Sequence, residues 1–156
     1  MKKWALIVYD FDGVMTDNCA YLDETGCESV RVNRSDGLAI GLIRHAGISQ
    51  LILSTEKNLV VKKRAEKLAL PVLYGIENKR HALEHYCKQH GVALSETAYI
   101  GNDINDLEAM RCCAGRVCPA DAVDAVKAIA TIQLKKKGGE GCVREFYDLL
   151  FYEENR

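Results

Sequence analysis

The sequence predicts an α/β fold: a doubly wound, Rossmann-like, mainly parallel sheet with a β-hairpin flap after the first strand and no cap domain. Three observations lead there. Short apolar runs alternate with segments whose apolar residues recur at helical spacing. One hairpin-like segment interrupts that alternation directly after the first run. No insertion of tens of residues separates the core elements, which leaves no room for a covering domain. With 156 residues, 48% apolar and 28% charged, the chain has the size of one domain with one hydrophobic core, and 1–156 reads as a single unit.

The elements follow in order. Ala5 to Tyr9, Ile48 to Leu53, Val72 to Tyr74, Ala98 to Ile100, Arg116 to Cys118 and Thr131 to Leu134 are runs suited to fully buried strands. Between them, Leu38, Ala39, Leu42, Ile43 and Ala46 form one helical face, Ala82, Leu83, Tyr86 and Cys87 a second, and Leu107 with Met110 a shorter third. Ala20 to Leu22 and Ser29 to Val32 read as extended, with the turn-like Asp23-Glu24-Thr25-Gly26 between them; this is the flap, at about 19–34. Lys135-Lys136-Lys137-Gly138-Gly139 has loop composition and opens a C-terminal tail at about 135–156.

Composition excludes several classes of partner. A formal net charge of −1 with both signs interspersed supplies no broad field for nucleic acid or an anionic membrane, so any anion must be recognised locally. No apolar run approaches membrane-spanning length, and the start lacks the pattern of a secretory signal, so the expected location is the cytoplasm. Cys19, Cys27, Cys87, Cys112, Cys113, Cys118 and Cys142 contain no CxxC pair and read as reduced thiols rather than metal ligands.

The chemistry concentrates where strands end. The first strand runs into Asp10-Phe11-Asp12-Gly13, which places two carboxylates one residue apart as the chain leaves the sheet. Alone, this is also what a common strand-end turn looks like. Ser54-Thr55-Glu56-Lys57 follows the second core strand, Asn78-Lys79 precedes a helix, and Gly101-Asn102-Asp103-Ile104-Asn105-Asp106 follows the fourth. In a doubly wound sheet such positions converge on one crevice. Gathered carboxylates need a cation there, and their oxygens suit Mg²⁺; a hydroxyl and a lysine add a cradle for phosphate.

This constellation resembles the haloacid dehalogenase superfamily of phosphohydrolases, whose four motifs match Asp10/Asp12, Ser54, Lys79 and Asn102/Asp103 in order. The resemblance implies Asp10 as nucleophile, Asp12 as general acid/base, Ser54 and Lys79 as catalytic partners, and Mg²⁺ held by Asp10, Asp12, Asn102 and Asp103. It leaves open whether Asn102 or Asp103 ligates the metal directly, and whether Asp106 orients the lysine. The superfamily usually has aspartate where Asn102 stands, which implies a weaker metal site here. Within the superfamily, the DGV-x-TD opening, the flap, Asn33-Arg34-Ser35-Asp36-Gly37 and Gly138-Gly139-Glu140-Gly141-Cys142-Val143-Arg144-Glu145 resemble the capless, tetrameric phosphatases of 3-deoxy-2-ulosonic acid phosphates. In those proteins the tail and a neighbouring subunit help close the site. The implied partners are a small sugar acid phosphate and further copies of the chain.

The same resemblance implies substrate contacts from Gly13, Asn33, Ser54, Thr55, Glu56, Lys57, Arg64, Lys67 and Lys79. Ser54-Thr55-Glu56-Lys57 together with Arg64-Ala65-Glu66-Lys67 is more similar to enzymes for nine-carbon 9-phosphates than to those for octulosonate 8-phosphates. The plain alternative for Arg64, Glu66 and Lys67 is a solvated helix face. Two readings from other classes stand beside this one. A receiver domain uses similar groups but carries its acidic pair and its phosphorylated aspartate on different strands. A non-catalytic assembly module, related to domains fused to cytidylyltransferases, is the reading toward which Asn102 points.

Overall fold

The computed structural model describes residues 4–152; the last residues of the expected tail, and of the single unit 1–156, lie outside them. Six strands form one sheet: β1 (Leu6–Tyr9), β4 (Ser49–Leu53), β5 (Val72–Leu73), β6 (Thr97–Ile100), β7 (Gly115–Cys118) and β8 (Ile132–Gln133). Their order is β5-β4-β1-β6-β7-β8, and every neighbouring pair is parallel. The strand order reverses beside β1, between successive strands that run outward in opposite directions, which is where such folds place ligands.

Every residue of β1 is buried, so its side chains serve two cores. Leu6 and Val8 join Leu51, Leu53, Leu83 and Met110 on one face, while Ile7 and Tyr9 join Ile40, Ile43, Ile52 and Phe146 on the other. This is the period-two alternation of a strand covered by helices on both sides. Helices α1 (Arg34–His45), α2 (Leu59–Leu68) and α6 (Cys142–Phe151) cover the second face, and α3 (Lys79–His90), α4 (Leu107–Cys112) and α5 (Asp124–Ile129) the first.

The six strands of the sheet agree with expectation to within one residue at each end. The helix faces need one correction. In α1 the buried positions are Asp36, Ala39, Ile40 and Ile43, whereas Leu38 is 59% exposed and Ala46 is exposed beyond the helix end. Burying Ile40 and Ile43 fixes a rotation that turns Leu38 outward and takes the carboxylate of Asp36 inside. There Asp36 Oδ1 accepts a hydrogen bond from Arg144 N at 2.9 Å, tying α1 to the first turn of α6. The tail is therefore largely a packed helix, with Cys142, Val143, Phe146 and Tyr147 buried.

The flap is a separate antiparallel pair, β2 (Thr16–Leu22) and β3 (Glu28–Val32). It begins earlier than its apolar residues suggest, because β2 starts at the polar Thr16 and is irregular as far as Ala20. All seven cysteines are unpaired; Cys87, Cys113, Cys118 and Cys142 are buried and Cys19 and Cys27 lie exposed on the flap.

Candidate active site

Asp10 N donates to Ile100 O at 2.9 Å, continuing the β1–β6 pairing one residue past the strand and setting the Asp10 carboxylate at the sheet's carboxyl edge. The chain then turns sharply. Phe11 O accepts from Met15 N at 2.9 Å and Thr16 N at 3.1 Å, and Gly13 adopts φ +84°, which favours glycine. Thr16 Oγ1 closes the turn, accepting from Gly13 N at 3.3 Å and donating to Asp12 Oδ1 at 3.1 Å. Sequence reasoning did not single out Thr16, yet this hydroxyl orients the second aspartate.

Lys79 is the first residue of α3, behind the N-cap Asn78. Its side chain is buried, and Nζ lies 2.7 Å from both Asp10 Oδ1 and Asp106 Oδ1. Asp106 is the hub of this network. Its Oδ1 also accepts from Tyr99 OH at 2.8 Å, and its Oδ2 accepts from Asn102 N at 2.9 Å and Asp103 N at 3.3 Å. A Cβ on Gly101 would come within 2.7 Å of the Asp106 side chain, so the close approach needs glycine there. Asp106 thus orients the lysine. Tyr99 sits inside an apolar run, and no signal in the sequence marks its hydroxyl as part of the site.

The charges do not balance. Burial and then Asp106 push Asp10 up, to about 8, against the pull of Lys79. Burial disfavours the Lys79 ammonium, but Asp10 and Asp106 outweigh it and raise the lysine. Burial likewise raises Asp12, with the Thr16 hydroxyl opposing, which favours the protonated form that an acid catalyst needs. Two buried carboxylates against one ammonium leave room for further positive charge.

The Asn102 amide meets Asp10 and Asp12. With its nitrogen toward them it donates to the Asp12 main-chain oxygen at 2.9 Å and to Asp10 Oδ2 at 3.0 Å. Turned over, it presents its own oxygen beside those two, three oxygen donors of the kind Mg²⁺ takes. The residues present therefore fit a hard divalent cation. Among the described residues no three His, Cys, Asp or Glu side chains gather as a metal cage. Asp12 contributes its main-chain oxygen to this set while its carboxylate is held by Thr16, and Asp103 Oδ1 instead accepts from Ile104 N at 2.7 Å, capping a short 3-10 turn. A Cβ on Gly13 would lie 2.0 Å from the Asn102 side chain, so glycine 13 is what lets the amide in.

Two cavities adjoin. A cleft of about 380 Å³ is lined by Asp10, Asp12, Ser54, Thr55, Asn102 and Asp103, among others. A second, of about 250 Å³, extends beneath the flap past Asp12 and Glu56. Ser54 is buried, with Oγ accepting from Glu56 N at 3.1 Å, and Thr55 Oγ1 accepts from Asn105 Nδ2 at 3.3 Å across the cleft. Glu56 is folded onto the chain that follows, accepting from Lys57 N at 2.7 Å and Asn58 N at 2.9 Å.

The structure does not bring all expected contacts together. Lys57 lines neither cavity. Arg64 and Lys67 line a different cavity with Val32, Arg34, Gly37 and Leu68, and Arg64 Nη2 donates to Asn33 O at 3.0 Å. The reason is geometric: α2 starts beside Glu56 and leads away, so residues two turns along it stand roughly 10 Å farther off. The glycine tail also behaves differently from expectation within its own chain. Gly138 and Gly139 pack on the main chain of Gly13 to Asp17, with Gly139 N donating to Val14 O at 2.9 Å, and line neither cavity. They support the turn after Asp12 from behind.

The model of the haloacid dehalogenase-like hydrolases matches residues 48–146, which include Ser54, Lys79 and the segment 101–106. The chain belongs to that family. Similarity to its members extends further, across the aspartate pair. The 3-deoxy-D-manno-octulosonate 8-phosphate phosphatase KdsC of Haemophilus influenzae is 31% identical over all of this chain and 87% of its own length. Among solved structures, a HAD family hydrolase of Streptomyces avermitilis superposes with a TM-score of 0.92 at 42% identity, covering 94% of this chain and 84% of that one. The octulosonate 8-phosphate phosphatase of Moraxella catarrhalis, solved with magnesium, phosphate and KDO, superposes with a TM-score of 0.92 at 29% identity over 96% and 86% of the two chains. As a haloacid dehalogenase-like hydrolase with phosphatase relatives throughout its length, this chain is a phosphoric monoester hydrolase.

Proposed function

We propose that this protein is a Mg²⁺-dependent phosphatase that removes the terminal phosphate of a 3-deoxy-2-ulosonic acid phosphate through an aspartyl-phosphate at Asp10. The observation that carries the reading is the asymmetric setting of Asp10. Lys79 Nζ and Phe11 N, each at 2.7 Å, hold Oδ1, while Oδ2 faces the Asn102 amide at the cleft. Oδ1 is set by two donors and Oδ2 turns to the oxygen set that would hold the ion, so the carboxylate is fixed in orientation as a positioned nucleophile requires.

Asp10, Asn102 and the Asp12 main-chain oxygen would hold the ion, with Asp103 beside them. When bound, Mg²⁺ neutralises charge on the phosphoryl group and on Asp10. The protein's own groups do the rest. An Asp10 oxygen bonds to phosphorus as the ester oxygen leaves, and Asp12 gives that oxygen its proton. Asp12 then takes a proton from water, whose oxygen bonds to phosphorus as the Asp10 bond to phosphorus breaks. Lys79 balances charge on Asp10 throughout; Ser54 Oγ is a donor for phosphoryl oxygens, and main-chain N–H groups after Asp10 join it, Gly13 N by exchanging its long 3.3 Å bond to Thr16 Oγ1 for a phosphoryl oxygen. Thr55 and Glu56 line the path of the leaving sugar.

The finer preference is for the nine-carbon 9-phosphate, supported by Glu56 at the wall shared by both cavities. The eight-carbon 8-phosphate is the second reading, favoured by the names of the Haemophilus and Moraxella relatives. Asn33, Lys57, Arg64 and Lys67 serve substrate in this account only from a neighbouring copy, which makes a homotetramer part of the proposal. Seven unpaired cysteines suit a reducing compartment such as the cytoplasm. A panel of sugar acid phosphates with and without Mg²⁺ tests the reading: metal-dependent release of phosphate from ulosonate esters, abolished by Asp10→Asn, is expected. Absence of release from every ester in the panel would refute it, and the ratio of the eight- and nine-carbon esters decides between the substrates.

A further inference from the structure

The two flap strands do not pair evenly. Thr16 stands opposite Val32 and Ala20 opposite Val30, so four steps along β2 run against two along β3, and two extra residues bulge from β2. Asn18 lies in that bulge with φ +64°, a left-handed conformation that glycine, asparagine and aspartate adopt most readily. The bulge is pinned on each side. Asn18 N donates to Thr16 Oγ1 at 3.1 Å, Cys19 N donates to Asp17 Oδ1 at 3.2 Å, and Arg31 Nε pairs with Asp17 Oδ2 at 2.8 Å. Bulges of this kind re-aim a side chain next to a site.

What this bulge aims is informative. Asp12, Asn18 and Glu56 are the residues that line both the cleft and the cavity beneath the flap. The Asp12 carboxylate is engaged by Thr16 and the Glu56 carboxylate by two main-chain N–H groups. Among the described residues the Asn18 side-chain amide has no hydrogen-bond partner, so it brings a free donor and acceptor to the junction. The cavity beyond it is lined by Glu28, Glu56, Asn58 and apolar groups with no Lys or Arg. Such a wall suits an uncharged chain bearing hydroxyls and repels an anion.

We infer that Asn18 is a specificity-determining residue: its amide binds a hydroxyl on the carbon chain next to the phosphoester, where that chain passes from the cleft into the flap cavity. The inference rests on the phosphatase reading and adds the uncharged, hydroxyl-bearing character of the substrate's phosphorylated end. Asn18→Gly tests it, since glycine keeps the left-handed backbone and removes the amide. The readout is kcat/KM for an ulosonic acid terminal phosphate divided by that for p-nitrophenyl phosphate, whose leaving group carries no such hydroxyl. Loss of one hydrogen bond to an uncharged group lowers this ratio roughly threefold to tenfold. An unchanged ratio overturns the role of Asn18 while leaving the phosphatase reading standing. Failure of the wild-type protein to hydrolyse either ester refutes that reading instead, and the inference with it.

Discussion

Asn102 puts an amide where the superfamily resemblance places a carboxylate, and its surroundings show what the exchange does. Its nitrogen can donate to Asp10 Oδ2 and to the Asp12 main-chain oxygen, so in the metal-free protein the amide does part of a cation's work. Binding a cation then requires that these hydrogen bonds break and the amide oxygen turn inward. Asn102→Asp removes the donor and adds a charge, with two consequences of opposite sign. The half-saturating Mg²⁺ concentration is expected to fall roughly tenfold. The protein in excess chelator is expected to lose about 1–3 kcal/mol, since the substitution removes an N–H donor that faces two oxygens. Mg²⁺ titration of the melting temperature reads both effects without turnover. A variant that matched the wild type in chelator and in metal would contradict this view of Asn102.

At the scale of elements, two contacts tie the tail to the site. The first is Asp36, whose carboxylate caps α6 from inside the core. Burial raises it to about 6, and the hydrogen bond from Arg144 N, the Arg64 guanidinium and the nearby Val143 N–H pull only partly in the opposite direction. A carboxyl raised in the folded state contributes stability that is complete below its unfolded pKa, near 4, and is lost as pH rises through about 6. Asp36→Asn keeps the acceptor and abolishes the titration. Relative to the wild type, the variant is expected to gain about 2–3 kcal/mol between about pH 4 and about pH 7.5, measured by urea unfolding at each pH. A constant difference across that range would rule the linkage out.

The second contact is the glycine pair. A Cβ on Gly138 would lie 2.0 Å from Gly13 O, and one on Gly139 2.5 Å from Asp17 N. These neighbours are main chain and cannot swing away, so Gly138→Ala must displace the turn that carries Asp12 and Gly13. Overpacking of this kind costs about 1–3 kcal/mol, which for a domain of this size lowers the melting temperature by roughly 2–10 °C. The accompanying loss of turnover should appear in kcat, because Asp12 moves with the turn. An unchanged melting temperature would show that the tail does not brace the site.

For the whole molecule, the architecture could be read from the sequence because each core strand is short, apolar and bounded by helical spacing. The grouping of the candidate site was legible because its members sit at strand ends or at the start of the next helix, where topology brings Asp10, Ser54, Lys79 and Asn102 together. What escaped reading depended on three-dimensional partners. Tyr99 looks like any buried residue of β6 until its hydroxyl is seen on Asp106, and Thr16 looks like a turn residue until it is seen on Asp12. Arg64 and Lys67 looked like members of the cleft, but the direction of α2 takes them to another cavity. In the sequence α6 reads as part of a tail because the glycines before it signal a loop, although Val143, Phe146 and Tyr147 form an apolar face at helical spacing.

The proposed chemistry depends on Asp10 accepting the phosphoryl group. The most direct measurement mixes the protein with Mg²⁺ and an ulosonate phosphate, quenches in acid within a turnover, and maps phosphoryl adducts on the peptides. A transient adduct on Asp10, absent from Asp10→Asn, is the predicted result. Turnover that proceeds with no adduct on Asp10, or unimpaired turnover by Asp10→Asn, would contradict it.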